Sequence, residues 1–155
     1  MKVVIILGSK SDLEYAGGAS GVLDELGIEY IIRIASAHKT PQKVLDILEK
    51  YSGTGCVFIT VAGMSNALSG FVDANTHHPV IASPPYSGQY SGMDILSSLR
   101  MPSGVCPGTV LGAENAALAA AKILALSDEQ LGSKIKKYQE TVKNKVEEAD
   151  REVKG

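Results

Sequence analysis

Tryptophan is absent from the 155 residues, and phenylalanine and cysteine occur only twice each. Cys56 and Cys106 stand far apart with no Cys-x-x-Cys spacing, which argues against a disulfide framework or a thiolate zinc site; both are expected as reduced core thiols. Charge of neither sign is in excess. The 15 Lys and Arg against 17 Asp and Glu leave a net charge of −2, so neither a basic nucleic-acid surface nor an acidic tail is present and the expected partner is a small molecule. No apolar run reaches membrane-spanning length, and Met1-Lys2 leads directly into Val3–Leu7, too short for a signal-peptide core. A cytoplasmic protein without membrane contact is expected.

Several functional motifs are missing too. Gly8-Ser9-Lys10-Ser11-Asp12 fits neither the G-x-G-x-x-G dinucleotide spacing nor the G-x-x-x-x-G-K-[ST] P-loop, and no G-x-S-x-G elbow marks a serine hydrolase. The acidic, aromatic-lined loops of a flavin electron carrier are also lacking. His77-His78 has no third ligand at metal-binding spacing, and neighbours in extended chain point to opposite sides, so no metal is expected.

What is present is an alternation of strands and helices. The length fits one domain, able to bury roughly 70% of its unfolded surface. Val3–Leu7 and Cys56–Val61 are continuous apolar runs, the pattern of strands buried on both faces of a parallel sheet. Ile28–Ile34 and Pro79–Ala82 add two more strands, and Val105–Leu111 a fifth extended segment. Ser11 with Glu14 has capping-box spacing for a helix to Leu26; Thr40 as N-cap and Pro41 as first residue open a helix to Tyr51; a short helix follows Ala67. Asp94–Leu99 reads as another short helix, after an irregular stretch from Ser83 to Gly92 of a length that tends to be functional. Ala113–Leu126 is nearly all Ala, Leu and Ile, which implies close helix packing. Ser127 with Gln130 opens a last helix to Val153, whose apolar stripe Leu131, Ile135, Tyr138, Val142, Val146, Ala149, Val153 runs along a charged rod of roughly 35–40 Å. The order predicts a three-layer α/β/α sandwich around a parallel sheet, resembling flavodoxin-like or Rossmann-like folds. Residues 1–126 form its α/β part, the catalytic unit if the chain is an enzyme, and residues 127–155 a helical arm of the same domain expected to pack on a neighbouring subunit.

Candidate chemistry falls on strand ends, where open parallel sheets bind ligands. Ser36-Ala37-His38-Lys39 puts an imidazole and an ammonium between a strand and a helix start; the plainer reading is a loop-filling His38 and a solvated Lys39. At Gly8–Asp12, helical N–H groups with the Ser9 or Ser11 hydroxyl suit a phosphate monoester. Asp12 either accepts from sugar hydroxyls or only complements the helix dipole. Gly63-Met64-Ser65-Asn66 supplies small residues and an amide for close approach to a flat ligand.

Together, Gly8-Ser9-x-Ser11-Asp12, Ser36-Ala37-His38-Lys39, Ala62-Gly63-x-Ser65-Asn66-Ala67-Leu68-Ser69-Gly70 and Ser97-Ser98-Leu99-Arg100-Met101-Pro102-Ser103-Gly104 resemble the phosphoribosylaminoimidazole carboxylase (PurE) family of purine biosynthesis, over the chain to about Leu126. Of that family's two classes, the N5-carboxyaminoimidazole ribonucleotide mutases usually carry His followed by Arg and a motif like Ala-Gly-Gly-Ala-Ala-His. The His38-Lys39 and Ser65-Asn66 pairs are similar to the class that carboxylates aminoimidazole ribonucleotide directly with carbon dioxide. Met64 departs from the Arg that many members of that class carry there. The resemblance implies no metal, ATP or other cofactor, a homo-octamer, His38 as general base, and Lys39 on a substrate oxygen or the new carboxylate. It further implies Ser9, Asp12 and Ser36 at the phosphoribosyl group, Gly63, Ser65 and Asn66 around the imidazole and carboxylate, and Gly8, Ser11, Ala37 and Met64 as further substrate-binding residues. The alternatives are the mutase and a non-catalytic nucleotide-binding or scaffold protein of the same fold.

Overall fold

The computed structural model describes residues 1–154. Five strands, β1 (Lys2–Leu7), β2 (Tyr30–Ile34), β3 (Cys56–Val61), β4 (Val80–Ala82) and β5 (Gly108–Thr109), form one sheet in the order β2-β1-β3-β4-β5, every pair parallel. Six α-helices alternate with them: α1 (Leu13–Leu26), α2 (Pro41–Tyr51), α3 (Leu68–Asp73), α4 (Leu96–Leu99), α5 (Ala113–Leu124) and α6 (Glu129–Lys154).

Apart from Lys2 at the start of β1 and the buried Thr60 in β3, the central strands β1 and β3 are apolar because both faces are covered. Side chains alternate across a strand, so Val3, Ile5 and Leu7 join Val57, Ile59 and Val61 under α1, α5 and the start of α6, while Val4, Ile6 and Phe58 face α2 and α3. Each fully buried side chain of this size contributes about 2 kcal/mol of apolar burial. Against α1, helix α5 presents Ala113, Ala116, Ala117, Ala120 and Ala121, all buried; their small volumes allow the two helices to lie close above the sheet. Gly27 ends α1 in the left-handed conformation, φ +68°, and returns the chain to β2.

Local details depart from the sequence reading. Ser11 does not cap α1: Ser9 caps a 3₁₀ turn over Lys10–Asp12 that runs into it. Thr40 makes no side-chain cap to α2. Ser127 Oγ donates to the Leu124 carbonyl, and Asp128 Oδ1 accepts from the Leu131 N–H at the start of α6. Strand β2 begins at Tyr30, since Ile28 still bonds back to the Leu23 carbonyl. The fifth strand shrinks to two residues behind Pro107, which has no N–H to donate. His77 and His78 do not point apart: their rings lie 4.2 Å between centroids. Cys56 is buried as expected, but Cys106 is exposed. The α6 stripe divides, with Leu131 and Ile135 buried against the domain and Val142, Val146 and Val153 uncovered by the rest of the chain. Among the described residues no helix is long and apolar enough to cross a membrane.

Candidate active site

With β1 and β3 adjacent and their following helices on opposite faces, the loops after them diverge and leave a crevice at the carboxyl edge of the sheet. A cleft of about 520 Å³ occupies it, walled by segments from four loops: Gly8 to Asp12, Ser36 to Lys39, Ala62 to Leu68 and Pro85 to Gln89. Gly8, Ser9, Ser11, Asp12, Ser36, Ala37, His38, Lys39, Gly63, Met64 and Ser65, all named from sequence, line it.

The β1 loop is a self-capped turn. Ser9 Oγ accepts from the Ser11 N–H at 3.2 Å and lies 2.9 Å from Ser11 Oγ, while the Ser9 N–H donates to Asp12 Oδ2 at 2.9 Å. The two hydroxyls thus gather at one point, a pair able to meet phosphate oxygens, while the Ser9, Ser11 and Asp12 N–H groups all donate within the turn. Burial pushes the Asp12 carboxyl above its ordinary value, opposed by the hydrogen bond from Ser9. Gly8 has no side chain because a Cβ there would stand 3.3 Å from the Cβ of Ala62 in the neighbouring loop.

The β2 loop is a closed turn presenting His38 and Lys39. The Thr40 N–H donates to the Ser36 carbonyl at 2.8 Å, the Ser36 N–H donates to Thr40 Oγ1 at 3.0 Å, and Ser36 Oγ accepts from the Lys39 N–H at 3.3 Å. Thr40 is therefore spent on rigidifying the turn rather than on capping α2. His38 and Lys39 are both exposed, and no backbone strain is needed to hold them at the cleft.

Asn66 sits apart from the other predicted contacts. It is 4% exposed, with Nδ2 donating to Ser98 Oγ at 2.8 Å and Oδ1 accepting from the Ser69 N–H at 3.2 Å. Its amide is consumed in bracing the β3 loop against α4, so it shapes the wall without lining it. Residues 85–87 and 89 were missed as site residues. The length of the irregular Ser83–Gly92 stretch was the signal for them, and Tyr15 anchors its start, its hydroxyl donating to the Pro84 carbonyl at 3.2 Å and lying 3.1 Å from Ser83 Oγ. Among the described residues no cluster of three or more His, Cys, Asp or Glu could hold a metal ion.

Comparison with known proteins matches residues 2–145 to the family model described as AIR carboxylase. A phosphoribosylaminoimidazole carboxylase of Archaeoglobus fulgidus is 59% identical over 153 residues, covering 99% of this chain and 85% of the relative. An N5-carboxyaminoimidazole ribonucleotide mutase of Methanocaldococcus jannaschii is 42% identical, covering 98% and 97%. The crystal structure of Treponema denticola PurE superposes with a TM-score of 0.94 at 46% identity, over 99% of this chain and 98% of that one.

Proposed function

This chain belongs to the AIR carboxylase (PurE) family of purine biosynthesis, and from that premise we propose that it carboxylates 5-aminoimidazole ribonucleotide with carbon dioxide to the 4-carboxy compound. One observation carries the reading: a phosphate-type donor turn at Gly8–Asp12 and the His38-Lys39 pair share a single cleft with the Gly63–Ser65 turn.

The chemistry follows from the substrate. Its aminoimidazole is an enamine, so the ring carbon C4 forms the new C–C bond to carbon dioxide and one C=O bond of carbon dioxide opens to give the carboxylate. C4 then carries both a proton and the carboxylate; His38 takes that proton, and the C–H electron pair restores the aromatic ring. An imidazole can take and return such a proton near neutral pH. The Lys39 ammonium stabilises charge on a substrate oxygen or on the carboxylate as it forms. The Ser9 and Ser11 hydroxyls hold the phosphate. Asp12, an acceptor where a phosphate would be repelled, takes the ribose hydroxyls, and Ser36 and Ala37 complete that end. Gly63, Met64 and Ser65 lie along the imidazole and its carboxylate. No step calls on a metal, ATP or another cofactor, since the nucleophile is the substrate's own carbon.

The reading also makes the protein a cytoplasmic homo-octamer. Its support for assembly is the distal α6 stripe, where Val142, Val146 and Val153 are 46%, 67% and 87% exposed within one chain.

The mutase is the second reading, favoured by the likeness to the Methanocaldococcus jannaschii enzyme of that name; the Lys39 and Ser65-Asn66 residues favour direct carboxylation. Purified protein supplied with aminoimidazole ribonucleotide and bicarbonate, and in parallel with the N5-carboxy compound, separates them. Carboxylation in the first arm alone is expected, turnover in the second alone assigns the mutase, and turnover in neither overturns the enzyme reading.

A further inference from the structure

The turn after β3 holds a backbone conformation that its residue disfavours. Met64 has φ +57°, the left-handed region in which a Cβ crowds the following carbonyl. Its side chain is 68% exposed, so packing of the methionine does not impose the conformation. Its backbone N–H and carbonyl instead meet side chains of the segment around α4. The Met64 N–H donates to Asp94 Oδ2 at 3.3 Å, and its carbonyl lies 2.9 Å from Ser97 Oγ, which accepts from the Asn66 N–H at 3.0 Å. Asp94 forms no ion pair among the described residues, so the Met64 N–H is the partner its carboxylate has. Both residues also line a smaller recess of about 60 Å³ beside the main cleft, and Gly63, Met64 and Ser65 all face the cleft itself.

We propose that Asp94 is a positioning residue for the carboxylation: it holds Met64 left-handed and so keeps Gly63 and Ser65 on the wall of the cleft that His38 shares. A change of φ at Met64 would rotate the chain about that residue and carry Ser65 away from the wall. This rests on the cleft being the site proposed above, and the reaction itself does not require Asp94 to touch substrate.

The test uses paired variants of the full chain. Asp94→Ala is expected to lower kcat/KM for aminoimidazole ribonucleotide about tenfold, the scale of one residue's left-handed penalty. Asp94→Asn, which keeps an oxygen acceptor, should stay within about threefold of wild type. In a Met64→Gly background, where positive φ carries no steric penalty, the same Asp94→Ala change should alter kcat/KM by less than about twofold. Hydrogen exchange of the peptide spanning residues 61–67 in ligand-free protein gives a readout without turnover, and Asp94→Ala should speed exchange at the Met64 amide about tenfold. Equal losses in the two backgrounds, or unchanged exchange, overturn the proposal. A wild type that carboxylates nothing overturns the functional reading instead, and the exchange rates then decide the positioning role alone.

Discussion

The Ser9 N–H donates to the Asp12 carboxylate at 2.9 Å, so the residue best suited to meet a sugar is also the one that closes the turn best suited to meet a phosphate. One carboxylate oxygen is committed to the turn and the other is left for a ligand hydroxyl. Asp12→Asn should therefore raise KM for the ribonucleotide about tenfold while kcat stays within about twofold, the pattern of a contact made equally in the ground and transition states. Steady-state kinetics at saturating carbon dioxide check this; a fall confined to kcat would contradict it.

The same carboxyl has a signature in pH. Its folded-state pKa lies above the unfolded one because of burial, so the fold favours the protonated form. That contribution to stability is fully present below the unfolded pKa and lost as pH rises through the folded value. Urea unfolding across the acidic range should show the stability of wild type falling relative to Asp12→Asn as pH rises, and a gap that widens in the opposite direction would refute the assignment.

His38→Asn should leave the circular dichroism spectrum and the elution volume unchanged, because the turn is held by Ser36 and Thr40 rather than by the imidazole. Carboxylation should drop by at least about a hundredfold, the scale of a lost general base. Activity near wild type would remove His38 from the chemistry.

The two thiols should differ sharply in reactivity. Burial pushes the Cys56 thiol up, against the smaller lowering from Thr54 and Lys2, whereas Cys106 is exposed. Brief iodoacetamide treatment of native protein followed by peptide mass spectrometry should find modification at Cys106 and little at Cys56.

Along α6 the consequences of substitution should switch at about Tyr138. Ile135→Ala, a buried deletion, is expected to lower the unfolding free energy by about 3 kcal/mol. Val146→Lys removes nothing from the protomer's core and should leave its fold intact, yet shift the light-scattering mass toward smaller species, since a charge now lies in the apolar stripe. An unchanged mass would mean that this stretch takes no part in assembly.

Strand and helix identities were legible in the sequence because they report only how a segment partitions between core and water. The unbroken apolar runs of β1 and β3, the small residues of α5 and the spacing along α6 each carry that information locally, and strand-end logic then placed His38, Lys39, Gly8–Asp12 and Gly63–Ser65 at one edge. Capping was not legible: Ser9 rather than Ser11, Asp128 rather than Ser127, and Thr40 turned back onto Ser36 all depend on where the backbone leaves helical φ and ψ, which a spacing of polar residues does not specify. The strand order, the cleft gathered from four separate loops, the inward turn of the Asn66 amide and the bond from Met64 to Asp94, thirty residues apart, were decided by the tertiary structure alone. Partners that far apart in the chain meet only because α4 and the segment before it are laid across the β3 loop, and hydrogen bonding there follows position in space rather than composition.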